Sequence, residues 1–268
     1  MKLAISNIAW PFEHDAEVLD LIGDCGGEGV EVAPSKIWPN WAGSSIAAAD
    51  AYRKSLEDRG LAIPALQAIL FGKPELQVFE FESHGAFASH VTFVADLAQA
   101  LGARTLVFGA PKNRRRESVA YQDAWPMAVD LFRKLGEICA QREVVIGMEP
   151  TPVEYACDFL TNLADIERFV QEVDSSGVAV HIDDAALHMT GKVFEQLQSL
   201  NSAPVHYHVS EPMLAPVGSG EVDHAAGIRA LRDSEYSDWI SIEMRQADPF
   251  RETIQTALTA IRGAIDHA

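Results

Sequence analysis

Four short apolar runs in the second half of the sequence end in residues that can hold a metal ion or move a proton. Val144 to Met148 leads into Glu149, Val178 to Ile182 into Asp183, Val205 to Tyr207 into His208, and Trp239 to Ile242 into Glu243. Pro150 follows Glu149 at once and has no amide hydrogen for a backbone ladder, so a strand must stop beside that carboxylate. Three carboxylates and one imidazole make a donor set of hard oxygens with a single nitrogen. Such a set suits one divalent ion, Mn²⁺, Mg²⁺, Co²⁺ or Zn²⁺. A cation would also offset repulsion among the clustered carboxylates, which otherwise tend to hold protons. A single acidic residue at a strand end is ordinarily a helix cap or a solvated loop group. Four successive strand ends with ligand side chains are harder to explain that way.

For these residues to meet, the strands that carry them must share one edge. Strands are expected at Leu3 to Ile8, Gly29 to Val32, Ala62 to Gln67, Thr105 to Phe108, Val144 to Glu149, Val178 to Asp183, Val205 to Val209 and Ile240 to Glu243. Helices are expected between them, at Ala16 to Gly23, Ser45 to Arg59, Gly85 to Leu101, Ser118 to Ala140, Leu163 to Val173, Lys192 to Leu200, Ala225 to Leu231 and Pro249 to His267. Ala95, Leu97, Ala98 and Leu101 show the three-and-four spacing of a buried helical stripe. Asp248-Pro249 reads as a start signal for the last helix, with Asp248 capping free amides and Pro249 in the first turn. This alternation predicts an α/β fold, a single (β/α)8 TIM barrel over residues 1–268, with the active site at the carboxyl ends of the strands. Side chains alternate along a strand, so Gly147 lies on the face of Glu149 and Ser241 on that of Glu243, leaving room beneath the carboxylates.

Composition narrows the partners. The formal charge is −18, from 21 Lys+Arg against 39 Asp+Glu, and no basic stripe interrupts it, so nucleic acid is not expected. A small anionic substrate is still allowed, because a local basic pocket can outweigh distant charge once salt screens the rest. Three cysteines without paired spacing suggest neither a disulfide framework nor a zinc ribbon. Met1-Lys-Leu-Ala-Ile-Ser enters a strand rather than a secretory signal, and no run spans a bilayer. No membrane association and a cytoplasmic location are therefore expected.

At these residues the chain resembles the xylose isomerase-like TIM-barrel superfamily of sugar isomerases and epimerases, which also includes zinc-dependent abasic-site endonucleases. Gly147-Met148-Glu149-Pro150, His181-Ile182-Asp183, His206-Tyr207-His208 through Glu211-Pro212, Gly218-Ser219-Gly220 and Ile242-Glu243 carry the resemblance, with Leu106 to Arg114 beside them. It implies that Glu149, Asp183, His208 and Glu243 bind one divalent metal and that Glu149 and Glu243 act as acid and base. It further implies a small carbohydrate-like substrate and a homo-oligomer. The expected reaction is isomerisation or epimerisation of a sugar-like ketone through a metal-stabilised enediolate; a lyase of the inosose dehydratase or C-glycoside-cleaving kind and a non-catalytic barrel subunit are the alternatives. Departures are Ala186, where relatives often have His, Tyr155, where ketose epimerases have a second Glu, and Leu214, where they have Arg. The missing histidine and the absence of a basic face argue against the endonuclease.

Other residues are expected to touch substrate. Gln67 ends the third strand, and Lys112 and Arg114 belong to a basic cluster after the fourth that can take a phosphate or carboxylate or simply stand in solvent. His206 lies one layer below His208, placed to orient a ligand or to serve as a core histidine, and His181 stands likewise below Asp183. Glu211 follows the metal histidine and is expected to reach the substrate or stay in solvent. Trp10, with Trp38, Trp41 and Phe71, falls in the early strand-to-helix loops, where aromatics can cover a sugar face or plug the barrel top. Asp184 competes with Asp183, but a register using it would send Asp183 outward.

Overall fold

The structure, a computed structural model, describes residues 1–191, 193–201 and 203–268. Eight parallel strands form the barrel: β1 Lys2–Ser6, β2 Gly29–Glu31, β3 Ala65–Leu66, β4 Thr105–Phe108, β5 Val145–Met148, β6 Val178–Asp183, β7 His206–Ser210 and β8 Trp239–Glu243. Between and after them run α1 Asp15–Asp24, α2 Pro34–Ile37, α3 Ile46–Glu57, α4 His84–Leu101, α5 Tyr121–Ala140, α6 Leu163–Val173, α7 Asp184–Thr190, α8 Val193–Gln198, α9 His224–Asp233 and α10 Phe250–His267. The strand order is β2-β1-β8-β7-β6-β5-β4-β3. Parallel bridges Gly29 to Ala62 and Val32 to Leu66 join the two ends. The protein is thus a (β/α)8 TIM barrel. Among the described residues no helix is long and apolar enough to cross a membrane.

The third strand is shorter than expected. Pro64 has no amide to give a neighbour, so regular pairing begins only at Ala65. Closure survives because Val30 N–H donates to Ala62 O (2.9 Å), Val32 N–H to Ala65 O (3.0 Å) and Gln67 N–H to Val32 O (2.9 Å). Two helices were not anticipated, α2 and α7. The second starts directly at the end of β6, where Asp183 Oδ1 accepts from Ala186 N–H (2.7 Å). Of the helix expected at Lys192 to Leu200, Lys192 lies outside the described residues and Val193–Gln198 is observed. The last helix begins one residue later than expected, because Pro249 keeps extended backbone and becomes the cap residue itself; no side-chain cap bond forms there.

Strand registers pair Ser6 with Glu31, Asp183 with His208, and His208 with Ser241. Paired residues of parallel neighbours share a face, so these side chains all point into the barrel. The opposite faces carry Leu3, Ile5, Val30, Leu106, Phe108, Ile146, Ile182, Val209, Ile240 and Ile242, all buried under the helices. That outer layer is the main apolar core. Barrel interiors of this fold are usually filled by branched aliphatic side chains. Here the middle is filled by Glu31, His181, His206 and His208, each at most 1% exposed. Burying such groups without partners would be costly, so where their hydrogen bonds go is the central question.

Candidate metal centre

Glu149, Asp183, His208 and Glu243 each offer one ligand-type atom such that all four atoms lie within 4.8 Å of one another. They come from the carboxyl ends of β5, β6 and β8 and from the middle of β7, which runs two residues past His208, and the structure brings together the four residues that the sequence singled out. Small neighbours make the space. A Cβ on Gly109 would lie 2.4 Å from Glu149 Oε2, and one on Gly147 would lie 3.0 Å from His181 Cβ. Asp183 Oδ2 accepts from Ser210 Oγ at 2.5 Å, and Glu243 Oε1 accepts from Gln67 Nε2 at 2.9 Å.

The orientation of His208 is set from below. Its Nε2 lies 2.9 and 3.1 Å from the two carboxylate oxygens of Glu31, a residue the sequence reading did not single out. Donation from Nε2–H leaves Nδ1 facing the three carboxylates. That nitrogen is buried and has no hydrogen-bond partner, although Glu243 Oε2 is 3.3 Å away. An unpaired, buried imidazole nitrogen ringed by carboxylates fits a divalent cation, and a carboxylate behind the other nitrogen is the usual support for a metal-ligating histidine. His206 Nε2 shares the same support at 2.7 Å from Glu31 Oε2. His181 Nδ1–H donates to His206 O (3.0 Å), leaving its Nε2 unpartnered.

The electrostatics agree with a site short of positive charge. Burial pushes the Glu149 carboxyl well above the ordinary range, and the charges of Asp183 and Glu243 push it further. Asp183 is pushed up to about 7, first by burial and then by Glu243 and Asp184. Burial alone would lower His208, but Glu31 and Glu243 outweigh it and hold the imidazole well above its usual value. Conversely, burial would raise Glu31, yet His208 and His206 hold it well below. A bound cation would take over the role that protons fill on the upper carboxylates.

Above the centre opens a cavity of about 720 Å³. Glu149, Asp183 and Glu243 line its base; Gln67, Ile69, Phe71, Lys73, Val107, Lys112, Tyr155, Ala186 and Leu214 line its walls. Gln67 and Lys112 therefore lie where substrate contact was expected. Four other expected contacts do not. Trp10 is fully buried with Nε1–H donating to Asp15 Oδ1 (2.9 Å) at the start of α1, outside the cavity lining. Arg114 is 1% exposed and donates from Nη2 to Glu149 O (2.8 Å), because that buried carbonyl needs a donor; it braces the centre from behind. His206 is spent on Glu31 beneath the cavity. Glu211 is 1% exposed and faces His224 Nε2 (3.1 Å) and Gly220 N–H (3.2 Å) instead of the cavity.

Glu211 belongs to a second buried cluster that also escaped sequence reasoning. His224 Nδ1 is 2.7 Å from Asp184 Oδ2, and Asp184 Oδ1 accepts from Ser210 N–H at 2.7 Å. Asp184 thus turns away from the cavity, and Asp183 turns toward it. Only Glu31 left a local signal: a carboxylate between Val30 and Val32, in phase with small Gly29, is a charged residue on the face that points inward.

A family model described as xylose isomerase-like TIM barrel matches residues 19–264. No curated protein matches the chain in sequence. Among solved structures, D-psicose 3-epimerase from Clostridium cellulolyticum H10, with D-tagatose, superposes with a TM-score of 0.83 at 15% identity, covering 99% of each chain. The 3-keto-D-glucoside 4-epimerase YcjR from E. coli, in its apo form, gives 0.79 at 18% identity, over 98% of this chain and 99% of that one. The IOLI protein with a bound zinc atom gives 0.76 at 18% identity, over 100% and 99%. At such identities the likeness is one of fold.

Proposed function

The chain belongs to the xylose isomerase-like TIM-barrel family, and from that premise we propose that it is a divalent-metal-dependent isomerase or epimerase of a sugar or sugar-like ketone. One observation carries the reading: Nδ1 of His208, which makes no hydrogen bond, sits among Glu149, Asp183 and Glu243 at the base of a ligand-sized cavity. The relatives in fold include epimerases of keto sugars and a protein holding zinc, which agrees with it.

Glu149, Asp183, His208 and Glu243 would hold the cation, with Glu31 fixing the His208 tautomer. When bound, a divalent cation supplies Lewis-acid polarisation of a substrate carbonyl and offsets the negative charge left by proton removal. Glu243, whose carboxylate is oriented by Gln67, takes the proton from the carbon beside the carbonyl. Glu149, the second glutamate at the base of the cavity, returns one. Return to the opposite face of the same carbon gives epimerisation; return to the former carbonyl carbon, with the neighbouring hydroxyl proton passed to the carbonyl oxygen, gives isomerisation. Ile69, Val107 and Leu214 give the cavity an apolar wall beside the reacting groups.

The test is an NMR screen of ketoses, keto-inositols and keto-glycosides in D₂O with Mn²⁺. Deuterium should enter at the α-carbon and stop doing so on chelation. Product without deuterium would mean a hydride shift, and release of water or aglycone would mean a lyase; either overturns the proposed chemistry.

A further inference from the structure

The charged residues of the cavity are divided by sign. All its acidic members sit at the base, in the candidate metal centre; its basic members, Lys73 and Lys112, stand on the wall formed by the loops after β3 and β4. These loops are tied together by one buried side chain. Asn113 Nδ2 donates to Lys73 O (2.8 Å) and Leu76 O (2.7 Å), and Asn113 O accepts from Val78 N–H (2.8 Å). Each lysine also has a proline beside it, Pro74 after Lys73 and Pro111 before Lys112, and both line the same cavity. Proline fixes its own φ and restricts the residue before it, so Pro74 restricts Lys73 itself and Pro111 fixes the chain that leads into Lys112.

Neither ammonium is held in a close ion pair among the described residues. Lys112 forms no ion pair among the described residues, and Lys73 has only the exposed Glu75, at 4.0 Å. A neutral ketose has no use for two such charges, whereas an anion entering a chain of net charge −18 needs a local positive site to do so. Arg114 cannot supply it, being buried behind Glu149. We infer that the substrate carries an anionic group, phosphate or carboxylate, received by Lys73 and Lys112 while its carbonyl end faces the Glu149 and Glu243 carboxylates. This rests on reading the cavity as a substrate pocket.

Calorimetric titration of the Mn²⁺-loaded protein with D-fructose 6-phosphate, 5-keto-D-gluconate and D-fructose tests it. At least one anion should bind about tenfold or more tighter than D-fructose, with the margin shrinking as salt rises. The preferred anion identifies the group. A Lys73→Ala/Lys112→Ala double variant should lose the margin while keeping its metal content and melting temperature. Binding of D-fructose as tight as that of both anions, binding of neither anion, or a margin that survives in the double variant overturns the inference; the last would place the anion on the metal. Absent deuterium exchange with the anion margin intact would discard the isomerase reading and leave this one standing.

Discussion

Two buried clusters in this barrel use the same residue types and behave differently. Asp184, His224 and Glu211 form a nearly closed set: both ring nitrogens of His224 face a carboxylate oxygen, and backbone amides serve Asp184 and Glu211, leaving Glu211 Oε2 as its one atom without a hydrogen bond. Glu149, Asp183, His208 and Glu243, joined to it through the adjacent Asp183 and Asp184, form an open one, in which His208 Nδ1 makes no hydrogen bond. Carboxylates outnumber imidazoles two to one in the first and three to one in the second. The imidazoles separate them: both His224 nitrogens lie within 3.1 Å of a carboxylate oxygen, whereas His208 Nδ1, with Glu243 Oε2 at 3.3 Å, makes no hydrogen bond. A closed cluster stabilises the fold; an open one stores repulsion that a cation can relieve.

The contrast predicts a catalytic effect on one side only, and it is the largest expected. Glu243→Gln keeps the shape and removes the base, so α-carbon deuterium exchange should fall by about 10³-fold, while Glu211→Gln should leave exchange within a few fold. Comparable losses in both variants would erase the distinction between the clusters.

Stability should divide the other way. His224→Ala leaves Asp184 buried without its partner, so urea unfolding should show a loss of about 3 kcal/mol. Glu149→Gln in metal-free protein replaces a carboxyl that must take up a proton to stay buried among its neighbours, and should raise the melting temperature near about pH 7.

The pH dependence carries the same sign. Asp183, at about 7 in the folded chain, lies above its ordinary 3.8, so its contribution is full below the ordinary value and is lost as pH rises toward 7. Glu149 and His208 are also raised and act in the same direction. Glu31 is held down, so its contribution is lost only as pH falls through the acid range below its ordinary 4.5. In chelator the melting temperature should therefore drop between about pH 5 and about pH 7, and saturating Mn²⁺ should remove or reverse the slope. A flat profile in chelator would mean that the open cluster is not frustrated.

How much of this could be read from the sequence follows from how local each signal is. The barrel came through because every strand is a short apolar run between helical patterns, and β3 was overdrawn only because Pro64 interrupts pairing. The four strand-end residues were visible because strand termini and alternation are local properties. Glu31 left a local signal, an inward-facing carboxylate between Val30 and Val32, but its meaning lies in His206 and His208, some 175 positions away. Arg114, Trp10 and Glu211 were misplaced for the same reason: each sits in a loop that sequence reads as rim, and each turns inward to a partner chosen by tertiary packing. The support behind His208 can be tested next. Glu31→Gln should lower Mn²⁺ affinity by about 10- to 100-fold, measured by competition with a fluorescent chelator, with folding otherwise retained.

The smallest effect is expected where the two clusters touch. Ser210 gives its backbone amide to Asp184 and its hydroxyl to Asp183, so one residue serves both. Ser210→Ala keeps the first bond and deletes the second. The closed cluster should be unaffected, with stability changed by about 1 kcal/mol or less. On the open side, Asp183 loses a donor that favours its charged form and should hold its proton to higher pH. Proton and cation then compete more strongly, so Mn²⁺ affinity should fall by a few fold near about pH 6 and recover near about pH 8. An equal loss at both pH values would mean that the hydroxyl positions Asp183 without tuning its charge. No loss at either would show that the open cluster does not depend on the closed one for its geometry.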